Sequence, residues 1–398
     1  MLSLLKSGRW VSDRLIQRAP LFSIGIGTSM LFGMIVTSHG GLDLLGRPLG
    51  TDFSNVYSAG HMVLNDQAAA AYTPGDQHRV QKEIFNHPDV PFYGWHYPPF
   101  FLIIAAGLAV LPYTLSWLTW MAATLPVYLY TAKRIINHRF GVLAALGFPA
   151  ISVNLLHGQN GFLSAALIAG ALLSLRSKPI IAGLLIGLLA YKPQFGILFP
   201  IVLLAGGYYR TFATATLTLF CMCALASAVF GMEIWHAFLE SRHFSRTVIL
   251  EAGSTGWFKI QTLFSVIRMW GGSVLFAYIA QSVLALFVLA ATIWIWRRAV
   301  DYDLKAASLI TGALLMTPYM FDYDMVVMAP ALLFLVRYSL STGWVSYERS
   351  ALALIWLSPL FARPAGLFLG LPIGVIAILS LFTLILFKAQ KARRRLDA

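Results

Sequence analysis

Apolar runs of about 15 to 20 residues, each broken by short Gly, Pro or basic punctuation, recur along almost the whole chain. A bilayer core offers no water to unpaired backbone groups, so runs of this length fold as helices that satisfy their own N–H and C=O groups. Charge content agrees. Of 398 residues only 11% are charged and 58% are hydrophobic, against roughly 25% charged in an average soluble domain. The sequence therefore predicts an all-α integral membrane protein, a multi-span helical bundle, and argues strongly against a soluble fold.

The formal charge of +13 does not point to nucleic acid, because the basic residues sit in small clusters at the ends of apolar runs. They read instead as orientation signals. Lys6, Arg9, Arg14 and Arg18 precede a first apolar run from Leu21, with no small-residue cleavage site after it, which predicts a retained first span and a cytoplasmic N-terminus. From there basic turns alternate with base-poor ones. Residues 132–139, 176–178, 296–298, Arg337 and a basic tail at 388–398 read inside; 157–161, 191–194, 318–324 and 361–366 read outside. Lys192 is the base that breaks this pattern. Between residues 98 and 131 the alternation needs an odd number of crossings although two apolar pieces are present, so one piece is expected to be re-entrant or superficial. The expectation is one domain over 1–398 with about 12 spans in the cell's inner membrane, a first outer loop at 38–97 and a second at 231–272. Cys221 and Cys223 lie in one apolar run and point to different helix faces, so no disulfide framework follows.

The first outer loop has its own pattern. Phe53, Val56, Tyr57, Gly60, Val63 and Leu64 form one helical face, which predicts a helix lying along the membrane interface. A second helix is expected over 76–85, and Pro98 with Pro99 close the loop. Trp235, Trp257 and Trp270 mark the second loop as headgroup-level.

Ionisable groups inside a membrane protein are functional flags, and here the unusual ones collect at the outer turns. Each has a bland reading beside a sharp one. Asp52 stands one residue ahead of the amphipathic stripe, where Asp is a preferred N-cap; it is also placed to act as an enzyme's base. His96 and Tyr97 form either an interfacial aromatic cluster or part of a site. His157, Gln159 and Asn160 make a polar hairpin with more hydrogen-bonding capacity than a turn needs. Lys192, near Gln194, either snorkels to the headgroups or meets a ligand, and Asp322 with Asp324 either face water or line the site. Gly183 and Gly187 read as a helix-packing pair. Cys/His metal spacing, a Walker loop and G-x-S-x-G are missing, so neither a metal nor a nucleotide cofactor is expected.

The ordered set "GTDFSNVYSAG", "WHYPPF", "HGQNG", "AGLLIGLLAYKPQFGIL" with "YYR", and "TPYMFDYD" resembles glycosyltransferase family 87, from about residue 15 to 340. That family contains polyprenyl-phosphate-mannose-dependent mannosyltransferases of the GT-C fold. The resemblance implies a transferase that takes a sugar, mannose by expectation, from a polyprenyl-phosphate donor at the outer side of the membrane and passes it to a lipid or glycan acceptor. Asp52 matches the family's acidic base in the first outer loop. Gly158, Gln159 and Asn160 match its "GQN" element, and Lys192 with Pro193 its "KP" element. Some relatives place a His in the last-third outer turn; this chain has "FDYD" there. On this reading Lys192, His157 and His96 contact the donor phosphate, while Gln159, Asn160, Tyr97, Gln194, Asp322 and Asp324 meet sugar or acceptor. A rival reading is a lipid-linked sugar flippase, which would need polar groups at several depths; a ligase moving a whole glycan fits the short loops poorly.

Overall fold

The computed structural model describes residues 2–397; Ala398, the last residue of the expected basic tail, lies outside the described residues. Helices α1 (Leu2–Ser7) and α2 (Asp13–Val36) lead into a first long connection that holds α3 (Phe53–Leu64) and α4 (Pro74–Phe85). Then follow α5 (Phe101–Ala109), α6 (Tyr113–Ile135), α7 (Arg139–Leu146), α8 (Ala150–His157), α9 (Gly161–Ser174), α10 (Pro179–Leu188), α11 (Pro193–Gly196), α12 (Leu198–Ala205) and α13 (Tyr209–Phe230). The second connection carries α14 (Glu233–Phe244), a π-helical stretch Ser245–Glu251, a 3-10 turn Trp257–Lys259 and α15 (Leu263–Met269). After α16 (Val274–Arg297) and α17 (Tyr302–Met316), a 3-10 segment Asp322–Val327 runs into α18 (Met328–Thr342), then α19 (Glu348–Leu369) and α20 (Ile373–Asp397).

Among the described residues six helices are long and apolar enough to cross a bilayer, or seven if α7 and α8, bent by 49° at their junction, make one span. This is fewer than the expected twelve, because several apolar runs fold into short helices. The 14 residues of α9, at about 1.5 Å each, fall well short of a hydrocarbon core about 30 Å thick. Within 98–131, α5 has 9 residues and α6, with 23, has the length to span but is not among the six that are also apolar enough.

Three local expectations are corrected. Helix α3 does not lie on the surface with one apolar face, for Ser54, Asn55 and Ser58 are buried with its apolar residues. A Cβ at Gly60 would run into the Ala105 carbonyl, so glycine lets α5 close on one side. On another side Gln77 of α4 donates to the Asn55 carbonyl at 3.2 Å and to Ser58 Oγ at 3.4 Å. Residues 361–366 are not a turn but part of α19, which contains Pro359 and Pro364 and ends at Gly370; membrane helices tolerate interior prolines when neighbours re-satisfy the freed backbone groups. Lys388 is no solvated tail residue. It lies in α20 with its ammonium buried, 2.6 Å from Glu348 Oε1 and 2.6 Å from Ser339 Oγ.

That ion pair belongs to the end of the bundle where the basic turns gather. Arg337 pairs with Asp303 and donates to the Ile135 carbonyl at 2.8 Å, and Arg176 stacks over Tyr302. Gly183 and Gly187 pack α10 on α13, where Cβ atoms would meet Thr214 and Thr218. Removing one partner of a buried ion pair leaves the other charge uncompensated, whereas replacing both with apolar residues is often tolerated. Glu348→Ala should therefore lose about 3 kcal/mol of stability or more, read as a lowered thermal midpoint in detergent, and Glu348→Leu combined with Lys388→Met should recover most of it.

Candidate active site

At the other end of the bundle, three breaks in apolar helices meet. The first is the turn between α8 and α9. Gly158 adopts a left-handed conformation (φ 61°) that ends α8, Gln159 N–H donates back to the Asn154 carbonyl at 3.0 Å, and the Asn154 side chain accepts the Gly161 N–H at 2.9 Å. Glycine is needed at 158 for a second reason: a Cβ there would stand 2.6 Å from Phe53 Cβ and 3.0 Å from the Gly50 carbonyl. The turn thus docks on residues 50–53, the segment that carries Asp52.

This contact decides what Asp52 does. Asp52 occupies the position before α3, but its carboxylate makes no capping hydrogen bond. Its Oδ2 instead accepts from Gln159 Nε2 at 2.9 Å, and Oδ1 has no hydrogen-bond partner among the described residues. Gln159 is held in turn, since its Oε1 accepts from the Tyr97 hydroxyl and from Asn160 N–H, both at 3.3 Å. The amide expected to meet sugar hydroxyls is therefore committed to orienting the carboxylate. Asn160, Asn55 and Thr51 each bury a side-chain oxygen that has no hydrogen-bond partner among the described residues.

The second break is at Lys192. Pro193 supplies no N–H and disfavours helical geometry in the residue before it, so Lys192 is extended (φ −121°, ψ 76°) between a 3-10 turn and α11. Its ammonium is buried and lies 2.6 Å from Asp324 Oδ1. The third break, after α17, brings Asp322 and Asp324 to the start of the segment that continues as α18, and both are buried. The two acids diverge: Asp324 takes Lys192, while Asp322 accepts both arms of Arg363, at 2.5 and 3.0 Å.

Arg363 is the group the sequence reading missed. It too is a base in a segment read as external, the same departure that marked Lys192, and it projects from α19 to donate to His157 Nε2 at 3.1 Å. His157 Nδ1–H donates to the Val153 carbonyl at 2.8 Å, so both ring nitrogens have defined roles and the imidazole is neutral. His96 stands apart, its Nδ1 2.8 Å from Ser245 Oγ on the second connection, and burial pushes its pKa down to about 4. Burial raises the pKa of Tyr97 and Tyr319, helped by the charges of Asp324 and Asp52. Gln194, half-buried in α11, makes no hydrogen bond to this cluster among the described residues. The segment with His96 and Tyr97 is fixed by α4, whose Gln81 and Gln77 side chains accept the Tyr93 and Trp95 N–H groups at 3.2 and 2.8 Å.

Two outcomes are expected. Gly158→Ala adds both left-handed strain and a clash with Phe53, and should destabilise by about 1 to 3 kcal/mol while loosening Asp52, read as a lowered thermal midpoint. For His96 the folded value of about 4 lies below the ordinary 6.5, so the unfolded chain binds more protons between these values and stability falls as pH drops from 6.5 towards 4. His96→Gln should flatten that part of a stability–pH profile measured by thermal unfolding.

Among known proteins, the model of glycosyltransferase family 87 matches residues 95–318, more than half of the chain. No curated protein and no solved structure matches it. The matched stretch contains Tyr97, the 157–161 turn and Lys192, whereas Asp52, Asp322, Asp324 and Arg363 lie outside it. By that match and by its apolar helices, this chain belongs to glycosyltransferase family 87 and is a membrane glycosyltransferase.

Proposed function

We propose that the protein is an inverting hexosyltransferase that moves a sugar, mannose by its resemblance, from a polyprenyl-phosphate donor to a hydroxyl of a lipid or glycan acceptor. The reaction takes place at the extracytoplasmic face of the cell's inner membrane, with both termini on the cytoplasmic side, in a single domain of GT-C type. The observation that carries this reading is the state of Asp52: one oxygen is held by Gln159 and the other is unengaged, in a cluster of polar groups at one end of an apolar bundle.

A polyprenyl phosphate is its own leaving group, so the protein's task is to take a proton and to receive charge. The acceptor oxygen attacks the anomeric carbon as its proton passes to Asp52 Oδ1; the carbon–oxygen bond to phosphate breaks, and its electron pair stays on the phosphate oxygen. Attack from the face opposite the phosphate inverts the anomeric centre, and one carboxylate suffices because no glycosyl-enzyme forms. Asn160, Asn55 and Thr51 present free acceptors to sugar or acceptor hydroxyls, with Tyr97 behind them. Lys192, neutralised by Asp324, and the neutral His157 and His96 are poorly suited to receive the phosphate charge alone. Their geometry fits a supporting part better. The flippase reading needs polar groups along a path, whereas transfer needs what Asp52 offers, a carboxylate with one oxygen held and one open.

Asp52→Asn separates base from scaffold, because an Asn carbonyl still accepts from Gln159. With full-length protein in vesicles, a labelled polyprenyl-phosphate hexose and an acceptor lipid extract, Asp52→Asn should lose roughly 100-fold or more in transfer rate, as for a missing general base, with thermal stability kept. Full transfer by Asp52→Asn sinks the base assignment. Movement of labelled lipid across the bilayer with no new glycosidic product, in the wild type, sinks the transferase.

A further inference from the structure

Resting on that reading, we infer that Lys259, on the second connection, is the residue that receives the donor's phosphate, with Arg363 beside it. The placement follows from backbone pairing. Ile260 bridges antiparallel to Phe321, and Gln261 N–H donates to the Met320 carbonyl at 2.7 Å. Lys259 and Asp322 are the chain neighbours of that bridged pair, each in a 3-10 segment beginning or ending there. The same 3-10 turn packs on α19, where the Phe258 carbonyl comes within 3.3 Å of the position a Cβ would take at Gly366, about one helical turn from Arg363. The turn is braced from behind: Arg268 donates to the Glu251 carbonyl at 2.9 and 3.2 Å and stacks over Trp257.

The charges then sort themselves. Lys192 is matched by Asp324 and Arg363 by Asp322. Lys259 makes no ion pair among the described residues, and its pKa is lowered, first by burial and then by the Arg363 charge, while Asp52 and Asp322 oppose that shift. Lys259, whose ammonium lies over the Phe258 ring 5.9 Å from its centroid, is thus left without an ion pair among the described residues, within electrostatic reach of Asp52. The acid takes the acceptor proton, and the cation meets the negative charge that grows on the leaving phosphate. As the donor's phosphodiester becomes a phosphomonoester dianion, Asp52 gains a proton, so the net charge of the filled site is unchanged through the reaction.

Binding of farnesyl phosphate to the full-length protein in detergent, followed by calorimetry, tests this. Lys259→Gln should weaken farnesyl phosphate binding about 10- to 100-fold, the range of one charge-assisted hydrogen bond. Lys259→Arg should restore most of it, and Arg79→Ala, at an exposed surface position, should change nothing. Unchanged binding by Lys259→Gln overturns the assignment. Should the Gln variant fold poorly, Lys259→Met and Lys259→Arg carry the same comparison. The two readings fail separately: Lys259-dependent binding without sugar transfer keeps this inference and removes the proposed reaction, whereas transfer with an unchanged donor KM in Lys259→Gln does the reverse.

Discussion

The polar end of this molecule depends on one contact, the seating of the 157–161 turn on residues 50–53. Without a side chain at Gly158 the two backbones close to a distance that brings Gln159 onto the Asp52 carboxylate. Everything that makes Asp52 useful follows from that seating. One oxygen is fixed, the other is left open, and the amide that fixes it is itself held by Tyr97 and Asn160. A carboxylate at a helix start would ordinarily turn back on the helix's own N–H groups; here a tertiary partner has taken it away from them.

Short helices make the contact possible. Because α5, α8, α9, α11 and α12 are each too brief to cross a bilayer alone, their ends can meet inside the bundle. Gly158, Pro193 and the non-helical residues before Asp322 set those ends. Each is a place where the backbone cannot continue as helix or changes to a tighter one, and each carries polar side chains that would be costly inside an apolar span. Buried ion pairs then tie the ends together. Lys192 with Asp324 and Asp322 with Arg363 join segments far apart in the chain, and a second set, Lys388 with Glu348 and Arg337 with Asp303, does the same at the opposite end. Such pairs add little net stability because desolvation offsets attraction, but a mispaired arrangement would strand a charge. Their main effect here is to select one register among helices whose apolar faces are otherwise alike.

Much of this was legible without coordinates. The apolar runs defined the class, the breaks at 158, 193 and 318–322 were visible as glycine, proline and polar clusters, and the concentration of Asp52, Gln159, Asn160, Lys192 and Asp324 near one another followed from the alternation of basic and base-poor turns. Residues 361–366 misled because proline and arginine together look like a turn, while α19 carries its prolines inside a continuous helix. Helix α3 misled because its polar face is as buried as its apolar one, with Gln77 supplying the hydrogen bonds that water would otherwise have made.

By itself, then, the sequence determined the helical membrane class, the helix breaks at 158, 193 and 318–322 and the polar residues left at them, because these depend on local chemistry: side-chain transfer to an apolar phase, the missing N–H of proline, the left-handed freedom of glycine. Only the tertiary structure decided which polar group meets which. Gln159 lies 107 residues from Asp52, and no local rule distinguishes a carboxylate that caps its helix from one that a distant amide draws away. The same holds for the cations. Lys192, Arg363 and Lys259 are alike as basic residues near polar turns, and what separates them is that packing brings an aspartate into ion-pair contact with the first two.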